Sequence, residues 1–132
     1  MVNIFGKYKL ATSENFDPFL KEIGVSLVTR KLANAASPSL DVSQDDEGFY
    51  VIKATAPFKT QTTKFKLGEE FDEERMDGKK VKSIVTAEGN TYTQIQKDKD
   101  LEIKYIREFT GDEIKVTSIC NNVSCLRVYK RV

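Results

Sequence analysis

Two arginines and a tyrosine near the carboxyl end are the residues whose chemistry could define a binding site. Arg107 stands in one strand-like run, and Arg127 and Tyr129 stand one residue apart in another. A guanidinium stays charged at any accessible pH and offers a fork of N–H donors that matches a carboxylate, and a phenol adds a third hydrogen bond. These three side chains could hold an anion if they face one enclosed space.

Strand alternation alone does not place them inside the protein. Cys125, Arg127 and Tyr129 share one face of the last run. Leu126 and Val128 share the other face. The pattern by itself favours a core built on the two aliphatic residues and leaves Arg127 in water, which is the ordinary place for a strand arginine. The pattern of the earlier run likewise does not show whether its arginine is buried or exposed.

The chain has few residues suited to catalysis or metal binding. The chain has no histidine, the commonest general base and metal ligand. Two cysteines without further ligands do not make a zinc site. The acidic side chains at positions 69, 70, 72, 73 and 74 alternate among other charges, which indicates a solvated strand and turn. We expect a protein that is not an enzyme and that uses no metal and no cofactor.

Net charge and chain length further restrict the kinds of protein that this chain could be. Lys and Arg number 21 against 20 Asp and Glu, so the chain has no broad field that would attract nucleic acid. No run is apolar enough for a signal peptide or a membrane span, and we expect a soluble cytoplasmic protein. The 132 residues fit one domain, residues 1–132, and we expect a monomer.

The two cysteines flank a predicted turn. If residues 121–122 form a two-residue hairpin turn, Cys120 pairs with Val123 and Cys125 pairs with Ser118. The thiols are then diagonal neighbours roughly 7 to 8 Å apart, which is marginal for a disulfide. We expect two reduced thiols.

Two short helices are predicted near the amino end. Between residues 15 and 35 the apolar side chains recur at helical spacing, and Gly24 interrupts them. Ser13 or Asn15 can cap the first helix, and Ser26 can open the second. Neither helix is long enough to form a core alone.

Beyond residue 38 the apolar period changes to two. Runs of strand type occur at residues 49–55, 62–67, 81–86, 91–96, 101–107, 113–119 and 125–130. Short turn sequences rich in Gly, Asp and Asn separate them. An antiparallel meander that closes into an up-and-down barrel leaves no exposed edge. With a first strand near residues 7–11, the helix pair would form a lid over one barrel mouth.

Particular runs resemble a known family from end to end. They are GKYKL at 6–10, SENFD at 13–17, FKLGEEFDE at 65–73, KVKSIVT at 80–86 and NNVSCLRVY at 121–129. The chain resembles the intracellular lipid-binding proteins, and within them the fatty-acid-binding branch that includes the heart, adipocyte, epidermal and myelin forms. The resemblance implies an all-β, ten-stranded antiparallel up-and-down barrel of the lipocalin-like kind, capped by a helix-turn-helix lid.

The same resemblance implies that Arg107, Arg127 and Tyr129 point inward and bind the carboxylate of a long-chain fatty acid that the protein carries through the cytosol. Relatives that carry retinol have glutamine where arginine stands here, which argues for an acid. Carriers of retinoic acid share a similar triad, so retinoic acid is the alternative ligand.

The resemblance also implies which side chains surround the acyl chain. They are Phe16, Val25, Thr29, Ala33, Pro38, Met76, Asp77 and Val116, with Phe58 at the portal. From the residues alone, Phe16 and Val25 could equally be helix packing, Met76 a gap-filler and Asp77 the start of an Asp-Gly turn.

A basic surface is predicted on the helix pair. Lys21, Arg30 and Lys31 lie there, and they could draw the portal to an anionic bilayer although the whole chain is nearly neutral.

Overall fold

The computed structural model describes residues 2–99 and 101–132, which form one antiparallel sheet and two short helices. The strands are β1 (Gly6–Glu14), β2 (Ser39–Gln44), β3 (Tyr50–Ala56), β4 (Lys59–Phe65), β5 (Phe71–Glu74), β6 (Lys80–Glu88), β7 (Thr91–Asp98), β8 (Leu101–Phe109), β9 (Glu113–Cys120) and β10 (Val123–Arg131). The helices α1 (Phe16–Glu22) and α2 (Leu27–Ala35) lie between β1 and β2. The predicted ten-stranded barrel with a helical lid is confirmed.

The sheet curls into a nearly closed barrel. Consecutive strands pair from β2 to β4 and from β5 to β10, and β1 joins β10 to β2. The end strands β4 and β5 have no backbone pairing with each other, so side chains bridge this gap. The Gln61 side chain donates to the Glu74 carbonyl at 2.8 Å, and the ring of Phe65 stacks on Phe71 with centroids 6.0 Å apart. The gap departs from the fully paired barrel that the sequence predicts.

Local signals set the helix limits. Gly24, the second residue after α1, adopts φ +89°, a left-handed conformation that favours glycine. Ser26 caps α2, since its hydroxyl accepts from the Thr29 amide at 3.4 Å. The predicted cap on α1 is wrong. Asn15 is left-handed and its side chain makes no cap; its amide instead donates to the Ser124 carbonyl at 2.8 Å.

Helix α1 packs onto the end of the barrel where β9 turns into β10. Phe19 and Leu20 are each 1% exposed and lie in a cluster with Ile103 and the two cysteines. Both cysteines are buried free thiols, and Cys120 is paired with Val123, as expected from a turn at residues 121–122. None of the helices in the described part of the chain has the length and apolar character needed to cross a membrane.

One arginine ties the opposite end of the barrel together. Arg131, near the end of β10, donates from three nitrogens to the carbonyls of Asn3, Phe5 and Gly111, each at 2.7 Å. It also donates to the Tyr8 hydroxyl at 2.7 Å. Because hydrogen bonds from a charged donor are the stronger ones, this side chain anchors the amino-terminal segment against the last strand.

Replacing Arg131 by Met should therefore lower the free energy of unfolding by about 2 to 3 kcal/mol, because several carbonyls lose a charged donor. Urea denaturation followed by tyrosine fluorescence measures this change. The matched control is Lys104→Met at an exposed position of β8, which we expect to change stability by less than about 0.5 kcal/mol. Equal effects of the two substitutions would contradict the anchoring role.

Candidate functional site

Strand register brings the two arginines of interest together. Val116 of β9 is paired with Arg107 on β8 and with Arg127 on β10. Residues directly opposite on neighbouring antiparallel strands point to the same face, and Tyr129 follows Arg127 by two residues on that face. Val116 lines the internal cavity, and Arg127 is only 7% exposed. The face that carries the arginines is therefore the inside of the barrel.

The interior holds a cavity with two adjoining lobes. The inner lobe has a volume of about 200 Å³ and is lined by all three predicted anion-binding side chains, Arg107, Arg127 and Tyr129. The outer lobe has a volume of about 160 Å³ and reaches Phe58, which is 40% exposed. Arg127, Tyr129 and Met76 line both lobes, so the two lobes adjoin at these side chains.

Arg127 lies against aromatic rings. Its guanidinium carbon is 3.7 Å from the centroid of the Phe16 ring and 5.9 Å from that of Tyr129. Among the described residues, its Nε has no hydrogen-bond acceptor. Stacking on a ring face stabilises a cation by about 1 to 2 kcal/mol, less than pairing with an anion inside a protein. Arg127 is therefore a buried cation with donor capacity to spare.

Arg107 is held by a relay of polar side chains. Its Nη1 donates to Oε1 of Gln94 at 2.8 Å, and Nε2 of Gln94 donates to Oε2 of Glu73 at 2.5 Å. Burial lowers the pKa of Arg107, and the nearby Glu73 carboxylate opposes that change. An arginine starts so far above neutral pH that it remains charged here.

Glu73 is a half-buried acceptor that the sequence did not reveal. Ser83 donates its hydroxyl to this carboxylate, and Gln96 donates its amide at 3.1 Å. Because each of these partners is a donor, they suit an ionised carboxylate. The expectation of a solvated acidic strand is wrong at this position. Phe71, two residues earlier, stacks inside the barrel, and this apolar residue was the signal that Glu73 also faces inward.

Arg75 is a third interior arginine, and sequence reasoning also missed it. It is 3% exposed and binds Asp77 through two nitrogens, at 3.0 and 2.5 Å. Its Nη2 also donates to the Ile23 carbonyl at 3.0 Å, just beyond α1. Burial raises the pKa of Asp77, but hydrogen bonds and the charge of Arg75 outweigh it and hold the pKa below its ordinary value.

The interior charges do not cancel. Arg75, Arg107 and Arg127 bring three positive charges, while Glu73 and Asp77 bring two negative charges. One positive charge remains. Arg127 has no carboxylate partner among the described residues, and Arg107 reaches Glu73 only through Gln94. A buried charge without a partner is costly, so the cavity is suited to a single monoanion.

Tyr129 supplies a neutral donor beside this charge. Burial raises the pKa of its phenol, and the charges of Arg127 and Arg107 oppose the rise only in part. The hydroxyl is therefore protonated at neutral pH and can donate to an anion held by the arginines.

The residues expected around an acyl chain divide into two groups. Those that line the cavity are Phe16, Met76, Val116, Ala33, Pro38 and Phe58. Val25, Thr29 and Asp77 line neither lobe. Val25 packs in the core beneath the helices, the Thr29 amide joins the cap of α2, and Asp77 pairs with Arg75. The ligand contacts of both groups stay a prediction.

No cluster of three or more His, Cys, Asp or Glu side chains within residues 2–99 and 101–132 could hold a metal ion.

A model of the lipocalin / cytosolic fatty-acid binding protein family matches residues 5–132. The chain belongs to this family. A fatty acid-binding protein of Tyrophagus putrescentiae is 49% identical over 132 residues, which cover 99% of each chain.

Solved structures of this family agree with the fold. A fatty acid-binding protein from brain tissue of Drosophila melanogaster is 51% identical with a TM-score of 0.88, covering 94% of this chain and 95% of its own. A Schistosoma mansoni fatty acid binding protein, solved in complex with arachidonic acid, is 36% identical with a TM-score of 0.92, covering 97% and 95%.

The Arg75–Asp77 pair predicts a pH-dependent contribution to stability. Because the pKa of Asp77 is lowered in the folded state from an ordinary value of 3.8, its contribution is complete above that value and is lost as the pH falls through the folded-state pKa. Asp77→Asn should lower the free energy of unfolding by about 2 to 3 kcal/mol at neutral pH. The difference from the native protein should shrink below about pH 4.

Urea denaturation at a series of pH values measures this difference. Asp46→Asn, an exposed position in the turn after β2, is the matched control and should show little effect at any pH. A stability difference for Asp77→Asn that is the same at pH 3 and pH 7 would show that the ion pair is not its source.

Proposed function

We propose that this member of the family is a cytoplasmic carrier, active as a monomer, that binds one long-chain fatty acid inside its barrel. The observation that carries the proposal is the positive charge of Arg127, which has no carboxylate partner among the described residues and lies in a cavity whose lining is partly apolar. A fatty acid supplies a negative charge for Arg127 and an apolar chain that suits the apolar part of the lining.

The carboxylate would bind at the inner lobe. Arg127 would be the main anchor because its donors are free, whereas one nitrogen of Arg107 is already used on Gln94. Tyr129 would add a neutral hydrogen bond, and Arg107 would complete the cradle directly or through water. Charge-assisted hydrogen bonds of this kind are roughly twice as strong as neutral ones, and they are stronger still inside a low-dielectric cavity.

The acyl chain would run from Arg127 along α1 through the inner lobe, and its tail would reach the portal through the adjoining outer lobe. Phe16, Met76 and Ala54 line both lobes, and Ala33 and Phe58 line the outer one. Each buried methylene contributes roughly 0.8 kcal/mol, so affinity should rise with chain length until the cavity is full.

The relatives support this ligand class. The Schistosoma mansoni protein is described in complex with arachidonic acid, and the Tyrophagus putrescentiae relative is named a fatty acid-binding protein. Binding rather than catalysis is the role that these side chains suit, since they provide donors for a carboxylate but no nucleophile paired with a base. Retinoic acid is also a monoanion, and competition between oleate, retinoic acid and retinol for a fluorescent fatty-acid analogue separates the candidates.

Replacing Arg127 by Gln tests the anchor. The change keeps a polar side chain but removes the charge, so fatty-acid affinity should fall about tenfold or more. The empty protein should become more stable, because a buried cation without a carboxylate partner is removed. Fluorescent displacement measures the affinity, and urea denaturation of delipidated protein measures the stability.

The control for this experiment is Lys130→Gln, an exposed position on the same strand. It should leave both the affinity and the stability close to native. If Arg127→Gln bound oleate as tightly as the native protein, the carboxylate would have to bind elsewhere.

We further propose that α2 contacts anionic membranes when ligand is exchanged. Leu27 and Val28 are 56% and 71% exposed on this helix, and Lys31 is exposed on the same helix. Exposed apolar side chains beside a lysine suit a surface that touches lipid headgroups. Arg30, which the sequence grouped with these residues, is occupied: it pairs with Asp17 at 3.1 Å, and its side chain is 14% exposed.

The basic contribution should therefore come from Lys21 and Lys31. A Lys21→Glu/Lys31→Glu protein should transfer a fluorescent fatty acid to anionic vesicles several-fold more slowly than the native protein at low salt, and the difference should fade at high salt. The matched control is Lys7→Glu/Lys130→Glu, which makes the same charge change on exposed strand positions. Equal slowing by both variants would mean that only net charge matters and that the helix makes no specific contact.

A further inference from the structure

Arg75 has a donor that no described residue uses. Its Nε and Nη2 bind Asp77, and Nη2 also binds the Ile23 carbonyl. Its Nη1 is buried and has no hydrogen-bond partner among residues 2–99 and 101–132. Arg75 lines the inner lobe of the cavity and is 3% exposed. A buried donor without an acceptor costs about as much as a lost hydrogen bond, which makes it an unusual feature of a folded interior.

The position of Arg75 relative to α1 fixes which part of a ligand could reach it. The Arg127 guanidinium stacks on Phe16, the first residue of α1, and Arg75 binds the carbonyl of Ile23, the residue that follows the helix. Phe16 and Ile23 also line the inner lobe, and at a rise of 1.5 Å per residue their backbones are on the order of 10 Å apart along α1. A fatty acid whose carboxylate binds Arg127 and whose chain runs along α1 would therefore bring the middle of its chain, not its head, to Arg75.

The charge at Arg75 decides which chemistry suits the free donor. Asp77 already neutralises this guanidinium through two contacts, so a second carboxylate would be buried without an unpaired cation to balance it. An uncharged oxygen needs only the one N–H that remains. The site therefore fits a hydroxyl or keto oxygen better than an anion.

We propose that Arg75 forms a second polar subsite, which binds an uncharged oxygen in the middle of an acyl chain, so that the protein accepts hydroxy and keto fatty acids as well as plain ones. This inference rests on the proposed function, because the carboxylate at Arg127 sets the register of the chain. Without Arg75, a mid-chain hydroxyl at this end of the lobe would lose its hydrogen bonds to water and would lack the donor that Nη1 offers.

The test compares three ligands on the native protein and on Arg75→Met. The ligands are stearate, stearate with a hydroxyl on its tenth carbon, and stearate with a hydroxyl on its second carbon. The native protein should bind the mid-chain hydroxy acid within about threefold of stearate. In Arg75→Met, the affinity for the mid-chain hydroxy acid relative to stearate should fall about tenfold or more, because the hydroxyl loses its donor.

Each protein is judged by the ratio of its affinity for the hydroxy acid to its affinity for stearate. General damage to the cavity lowers both affinities and leaves this ratio unchanged. The acid hydroxylated beside the carboxylate should show the same ratio in both proteins, since its oxygen lies at the head. A stearate analogue with a ketone on the tenth carbon can only accept a hydrogen bond, and it should behave like the mid-chain alcohol. If Arg75→Met lowered the relative affinity for the alcohol but not for the ketone, the hydroxyl would act as a donor to another group and not as an acceptor for Nη1. The proposal would then be wrong.

Two controls keep the test decisive. Arg75→Met/Asp77→Leu removes the carboxylate that Arg75→Met leaves unpaired, and it should show the same loss for the mid-chain oxygen if the single variant does not fold. On the native protein, stearate analogues with the hydroxyl at different carbons should keep an affinity close to that of stearate only when the hydroxyl is near mid-chain. An equal loss of affinity at every position would contradict the proposed subsite. Failure of stearate itself to bind would instead refute the proposed function.

Discussion

The burial of arginine side chains on the inner face of the barrel is the constraint on which the rest of the structure depends. A charge inside a protein must be matched by an opposite charge or by hydrogen bonds. Arg75 is matched directly by Asp77, and Arg107 is matched at one remove, through Gln94, by Glu73. Arg127 lies against aromatic rings and has no carboxylate partner among the described residues. This graded compensation leaves one place in the interior where an anion is stabilising.

The helical lid is coupled to both ends of that interior. Phe16 at the start of α1 covers the Arg127 guanidinium, and the carbonyl of Ile23 just after α1 accepts from Arg75. The Arg127 contact therefore lies at the first turn of α1, while the Arg75 contact lies just beyond its last turn.

Much of the fold was predictable because its signals are local. Turn residues and period-two runs indicated the strands, Gly24 marked the end of α1 and Ser26 the start of α2. The Asn15 cap failed because a partner far along the chain, the Ser124 carbonyl, took its side chain. The gap between β4 and β5 was also beyond local reading, since the pairing of two end strands depends on how the whole sheet curls.

The sequence by itself determined which residues share a strand face, because side chains alternate whatever the surroundings, and the family resemblance added that Arg107, Arg127 and Tyr129 point inward. Only the tertiary structure decided which side chains meet inside. Alternation could not show that Glu73 lies within reach of Gln94, or that Arg75 faces the cavity. Those facts follow from the register of strands distant in sequence and from the curvature that encloses one face of the sheet. Side chains alternate with a period of two whether the enclosed face is apolar or charged. Only the closure of the sheet into a barrel therefore decides which face is inside.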